Sequence, residues 1–187
     1  MVYLKVAEIW TIGHSTRTAE EFIALLKGNE IGALADVRRF PGSRRYPQFG
    51  QDALAVALKL EGIEYHHFPE LGGRRSGRSD SPNTAWRNAA FRGYADYMLT
   101  EGFRNGIGRL LQLAAEKRTA IMCAEAVWWR CHRGLIADDL KARGVVVRHI
   151  LARNKVEEHP YTSAARIVDG HLSYAAPQEE IDLGRAI

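Results

Sequence analysis

Short apolar runs alternate with segments of helical spacing along most of this chain, and that alternation limits the fold more than any other feature. Residues 8–12, 31–37, 63–68, 119–123 and 145–151 are each brief and mostly apolar, the pattern of strands covered on both faces. The intervening segments carry a different period. Thr18, with Glu21 three residues on, forms a capping-box signature, and Phe22, Leu25 and Leu26 then share a face up to Gly28. Residues 51–60 repeat that spacing through Leu54, Leu58 and Leu60. Residues 86–98 do so through Phe91, Tyr94, Ala95 and Met98, and residues 107–115 through Leu110, Leu111 and Ala114. A last helix over 131–142 stops before Gly144, a favoured residue just past a helix end. The expected fold class is α/β, a mainly parallel sheet of about five strands with helices on both faces.

Past Asn154 the pattern fades into a turn at Pro160, a hairpin over 166–174 around Asp169-Gly170, and a polar tail. The expected organisation is an α/β domain over 1–154 and a C-terminal extension over 155–187 that packs on it or trails from it. Residues 71–83 are rich in glycine, serine and arginine and are predicted to be mobile or ordered only by a ligand.

Size and composition narrow the function classes. A chain of 187 residues can bury one substantial core. No apolar run reaches the roughly 18 residues of a membrane span, and the N-terminus lacks the layout of a secretion signal. A cytoplasmic location without membrane partners is therefore expected. Two cysteines are too few for a disulfide scaffold. The net charge is only +4, but arginine is clustered. Arg38, Arg39, Arg44 and Arg45 lie close together, followed by Arg74, Arg75, Arg78, Arg87 and Arg92. Guanidinium forks suit phosphate or carboxylate.

In an open parallel sheet, ligands bind beyond the carboxyl ends of the strands. The residues that close or follow the expected strands are His14 and Ser15, Asp36 and Arg38, His66 and His67, Cys123 and Glu125, and His149. Acid–base, nucleophilic and anion-binding residue types thus recur at one end of the sheet. The densest stretch is 121–135, which holds Cys123, Glu125, Cys131, His132 and Arg133 between a strand and a helix start.

Several of these pieces form a recognisable set. They are Thr11-Ile12-Gly13-His14-Ser15, Ala35-Asp36-Val37-Arg38 with Pro41-Gly42-Ser43-Arg44, Glu70-Leu71-Gly72-Gly73, the run from Phe91 to Met98, Met122-Cys123-Ala124-Glu125, and Cys131-His132-Arg133 with Leu135-Ile136-Ala137-Asp138. On these motifs, which span residues 11 to about 150, the chain resembles the DUF488 family of uncharacterised bacterial and archaeal proteins. The resemblance implies a compact α/β domain and brings no reaction with it. Similar sequences often read Glu-Ala-Val-Pro-Trp before the Cys-His-Arg, whereas this chain has Trp128 in the proline position. Losing proline frees the backbone there.

Chemistry must therefore come from the residues. Cys131, near a helix start and beside Arg130 and Arg133, is a candidate nucleophile, with Glu125 or His132 as base. Cys123 and His14 complete the candidate catalytic set. Ser15, Asp36, Arg38, Arg44, Arg45, Arg133 and Trp129 are candidate substrate-binding residues, Trp129 by stacking on a base. Asp36 and Arg38 straddle Val37 and share a side of an extended chain, so an ion pair that fixes the loop is equally open. No phosphate-binding loop or dinucleotide fingerprint is present, and no cofactor is assigned. Cys123, Cys131 and His132 could meet at a metal, but their spacing is not a zinc pattern, and no metal is assigned. The expected partner is an anionic small molecule or nucleic acid, acted on by a small hydrolase or group transferase; a nucleotide, nucleobase or nucleic-acid end fits best. The alternatives are a non-catalytic nucleic-acid-binding module and a thiol redox or metal-binding protein. The sequence does not specify the oligomeric state.

Overall fold

The computed structural model describes residues 8–42 and 44–177. The chain forms β1 (Glu8–Gly13), α1 (Ala19–Gly28), β2 (Ala33–Asp36), α2 (Gln51–Leu60), β3 (Glu64–His67), α3 (Ala89–Met98), α4 (Glu101–Glu116), β4 (Thr119–Cys123), α5 (Arg133–Ala142), β5 (Val146–Ala152) and β6 (Lys155–Glu158). A separate hairpin follows, β7 (Arg166–Val168) and β8 (His171–Ser173). It turns at Asp169 and Gly170, both at positive φ, as the sequence predicts. The polar tail beyond residue 177 lies outside the described residues.

The main sheet runs β3-β2-β4-β1-β5-β6, and every pair is parallel except β5 with β6. The expected five strands are all present. The sixth, β6, was not anticipated, because all four of its residues are exposed and a solvated edge strand has no apolar signal. The pleat sorts the side chains. Trp10, Ile12, Leu34, Ala120 and Met122 face α1 and α2, where Phe22, Leu26, Leu54 and Leu58 cover them. Ile9, Ala35, Ile121, Cys123 and Val147 point the other way, onto Tyr94, Phe103, Ile107, Leu110, Leu135 and Leu140 of α3, α4 and α5.

Side-chain caps set the starts of α1, α3 and α4. Thr18 and Glu21 make the predicted capping box at α1. Asn88 caps α3, which therefore begins after Trp86, and Thr100 caps α4 six residues ahead of the predicted start. Residues 71–83 run across α3. There the Asp96 carboxylate accepts from the Arg78 amide at 2.8 Å, the Ser81 hydroxyl and the Asn83 amide at 2.8 Å.

Strand order places the site. From β1 the chain crosses by α1 toward β2 on one face, and from β4 it crosses by α5 toward β5 on the other. β1 and β4 are neighbours, with Gly13 opposite Cys123. A crevice opens where two adjacent parallel strands send their helices to opposite faces. Here it opens beyond Gly13 and Cys123.

Candidate functional site

The ladder between β1 and β4 continues past the strand ends. His14 N–H donates to the Cys123 carbonyl and Ser15 N–H to the Ala124 carbonyl, both at 3.0 Å. Ser15 then takes a left-handed backbone, φ 52, an uncommon conformation for a residue with a side chain. Gly13 has no substitute. A Cβ there would lie 1.7 Å from the Glu125 carbonyl oxygen and 2.9 Å from Arg133 Nη2.

After β4 the chain loops through Glu125, makes a short 3-10 turn over Trp128–Arg130 and enters α5. Cys131 is extended, φ −138 and ψ 152, and its carbonyl accepts from Gly134 N–H at 3.0 Å. Its sulfur faces the Arg133 amide at 3.5 Å, so it occupies the place of an N-cap side chain, where a helix favours negative charge. The two sulfurs, Cys123 Sγ and Cys131 Sγ, are 2.6 Å apart, and both cysteines are free.

Arg133 is the central cation. It is 1% exposed. Nε donates to Cys123 Sγ at 3.0 Å, Nη1 to Thr11 Oγ1 at 3.3 Å and Nη2 to the Glu125 carbonyl at 2.7 Å. Among the described residues no carboxylate pairs with it, and an uncompensated buried charge is costly. The neighbouring anion available is a thiolate. Burial pushes the Cys131 pKa up, but the hydrogen bond from the Cys123 thiol and the Arg133 charge outweigh it and bring it down to about 7. Cys123 is pushed well up, by burial and then by Cys131. As pH rises through about 7, Cys131 is thus the first of the pair to lose its proton, and Cys123 keeps its own. Burial also works against the Arg133 charge, yet the two sulfurs more than offset it and raise its pKa.

His132 stands beside this pair. Its Nε2 lies 3.0 Å from the Val37 carbonyl, which can only accept, so Nε2 carries the hydrogen. In the neutral ring Nδ1 is then the bare nitrogen, 3.4 Å from Cys131 Sγ. Burial lowers the pKa of the ring. His14 is held to about 4, chiefly by burial. Its Nδ1 donates to the Ser15 carbonyl at 2.9 Å and its ring stacks on Phe49 at 4.2 Å.

Behind Arg133 runs a buried polar chain. Thr11 Oγ1 is 2.7 Å from His149 Nδ1, His149 Nε2 is 2.9 Å from His159 Nδ1, and His159 Nε2 is 2.9 Å from Asp138 Oδ1. Its direction follows from donor chemistry. The Asp138 end sets it: the carboxylate accepts, and neutral His149, donating from Nε2, is left with a bare Nδ1 that accepts from the Thr11 hydroxyl. His149 then donates from Nε2 to His159, which donates from Nε2 to the Asp138 carboxylate. Tyr174 and Thr162 also donate to Asp138. Trp128 lies flat on His149, ring centroids 4.7 Å apart at 10°. The residue in the expected proline position is thus a lid over the histidine pair.

The thiols floor a cavity of about 910 Å³. Arg38, Arg39, Arg45, Arg74 and Arg130 line it, with Glu125 the one carboxylate among the described lining residues and Phe40, Tyr46 and Phe91 as aromatic walls. His14, Ser15, Cys123, Cys131 and His132 also reach it, so all five candidate catalytic residues are brought together. Other expected residues lie elsewhere. Asp36 is fully buried beneath the cavity, bound to Arg38 Nε at 2.9 Å and to the Tyr65 hydroxyl at 2.7 Å. Arg38 also donates to the Phe49 carbonyl at 2.9 Å, so the pair fixes the loop while Arg38 keeps an edge in the cavity. Arg133 is under the floor. Arg44 and Trp129 are exposed and are not among the lining residues. The parts not proposed as site residues from the sequence are Thr11 and Asp138, quoted only within motifs, and His159 and Tyr174. They come from a strand middle, a helix middle and coil, and the sequence offers no spacing that joins them.

Residues 18–140 match the domain of unknown function DUF488. The chain belongs to the DUF488 family. No curated protein and no solved structure matches it. In this DUF488 protein the matched span supplies both cysteines, His132, Arg133 and Asp138, whereas His14, His149, His159 and Tyr174 lie outside it. No helix among the described residues is long and apolar enough to cross a membrane.

Proposed function

We propose that the cavity is the active site of a thiol-dependent hydrolase or group transferase for a phosphate-bearing substrate, a nucleotide or a nucleic-acid end. The observation that carries this reading is Arg133, a buried cation with no carboxylate partner among the described residues, held against two sulfurs that open into an arginine-lined hollow. Such a cation favours thiolate, the nucleophilic form. Cys131, capping α5, is the attacking sulfur. Its proton passes to His132 Nδ1 or is already lost near neutral pH. Arg45, Arg74 and Arg130 neutralise the anionic group as it approaches, which positions the electrophilic centre and offsets charge in the transition state. Phe40, Tyr46 and Phe91 supply flat faces for a base. Attack forms a bond from sulfur to the transferred group and expels the leaving group, which takes the proton that His132 Nδ1 received from Cys131, or a proton from solvent where Cys131 was already ionised. Water or a second acceptor then releases the group from sulfur.

The test is alkylation of the reduced protein by iodoacetamide, followed by mass spectrometry. Modification of Cys131 should rise with a midpoint near pH 7, and inorganic phosphate or a nucleoside monophosphate should protect it. Protection should weaken in Arg45→Ala and Arg130→Ala. A midpoint at the ordinary thiol value of 9.0, or modification indifferent to both anions, rejects the reading.

A further inference from the structure

The two sulfurs are closer to one another than either is to any other partner named here. They sit 2.6 Å apart without a bond, well inside non-bonded contact and about half an ångström beyond a disulfide. Neither cysteine belongs to a loose segment. Cys123 ends the central strand β4, and Cys131 opens α5, whose first turn is almost wholly buried. The loop between them brings the two side chains face to face. The two thiols are unequal. Cys131 is 5% exposed and Cys123 is 2% exposed, and both reach the cavity, so the solvent side of the pair is Cys131. In the transfer chemistry above Cys123 serves only as a hydrogen-bond donor to the Cys131 sulfur, a task that a hydroxyl would do as well and that needs no second thiol.

We propose that Cys123 and Cys131 are a reversible dithiol–disulfide couple, oxidised by a hydroperoxide that enters through the cavity. The Cys131 thiolate attacks the distal peroxide oxygen, the O–O bond breaks, and Cys131 becomes a sulfenic acid as hydroxide or alkoxide leaves with a proton from solvent. The Cys123 sulfur then attacks the Cys131 sulfur. An S–S bond forms, the S–O bond breaks, and the Cys123 proton leaves with the hydroxyl as water. The sum is two thiols and one hydroperoxide giving one disulfide, one alcohol or water, and one further water. A small thiol or dithiol reverses it, donating two electrons and two protons. This step rests on the same reactive Cys131 as the proposed transfer reaction, and the disulfide removes that nucleophile. One pair of sulfurs then carries both a catalytic state and a silent state.

The test uses the full chain, reduced, freed of reductant and treated with hydrogen peroxide at near-stoichiometric amounts. Intact mass should fall by two hydrogens. Thiols titrated under denaturing conditions should fall from the two of the sequence to none, and dithiothreitol should restore them. In Cys123→Ser and Cys123→Ala no disulfide can form, and a 1,3-dione should capture a sulfenic acid at Cys131. In Cys131→Ser the rate of oxidation should drop tenfold or more. Circular dichroism of each variant establishes that it is folded. Two surviving thiols, direct passage to sulfinic acid in the unmodified chain, or disulfides only between chains would each overturn the couple. The two proposals fail separately. Phosphate protection of Cys131 without disulfide formation leaves the transfer reading standing alone, and disulfide formation without protection leaves only the redox couple.

Discussion

Acidification from pH 7.5 to 5 should cost this protein about 4 kcal/mol of stability through two imidazoles. His149 is fully buried and is held neutral to about pH 2 by burial first, then by His159 and Arg133. His14, 3% exposed, is held to about 4, chiefly by burial. In the unfolded chain both take up a proton near 6.5. Between 6.5 and each folded value the unfolded state therefore binds more protons, so stability is full above 6.5 and falls as pH falls. At about 1.36 kcal/mol per pH unit for each proton, the 1.5 units down to pH 5 cost about 2 kcal/mol per histidine. The sum approaches the whole margin of a protein near the low end of the usual range, about 5 kcal/mol. Urea unfolding at pH 7.5, 6.5, 5.5 and 5.0 measures it, with a constant denaturant slope confirming two-state behaviour. His149→Gln should be less stable at pH 7.5 but should lose only about 2 kcal/mol on the way to pH 5. A midpoint that stays level in the parent protein, or an unchanged pH slope in the variant, refutes the assignment of His149 as a buried neutral ring.

Three further outcomes follow from the same geometry. Arg133→Lys, which keeps charge but loses the fork, should return the Cys131 thiol toward its ordinary value of 9.0; alkylation at pH 7 should slow by up to about 50-fold. Asp138→Asn replaces a carboxylate that accepts from His159, Thr162 and Tyr174 with a group that must also donate, and should cost about 3 kcal/mol by urea unfolding. Gly13→Ala drives a methyl group into the Glu125 carbonyl; a loss of about 2–4 kcal/mol is expected, together with a lower alkylation rate at Cys131, whereas Gly28→Ala, with open space around it, should be neutral or stabilising.

The sheet was legible because its central strands are continuous apolar runs. Thr119–Cys123 reads as a strand end to end, and all five of its residues are buried. Edges and helix starts were harder. α4 begins at Glu101, but Gly102, Gly106 and Gly108 dilute its helical signal, and Gly106 serves close packing, since a Cβ there would meet Glu70 Cγ at 2.7 Å. The candidate site was legible wherever a reactive residue closes a strand, as with His14 and Cys123, or opens a helix, as with Cys131. Arg44 and Arg45 look alike in sequence, yet only Arg45 lines the cavity. Neighbouring loop residues point in different directions, and no period fixes which way. The Thr11–His149–His159–Asp138 chain was invisible for a related reason. Its members lie far apart in the chain on different elements, and the sheet register that sets Thr11 opposite His149 joins only the first two.

That polar chain has an evolutionary corollary. The portion of the protein that matches its family, residues 18–140, contains the sulfurs and the guanidinium, but the imidazoles that brace the guanidinium arrive from β5 and from the segment after β6. A relative could keep every matched motif and still differ at positions 149, 159 and 174. Its cysteines would then sit in the same place with a different appetite for protons, so reactivity within the family could diverge through residues that a comparison of the shared span alone would never compare.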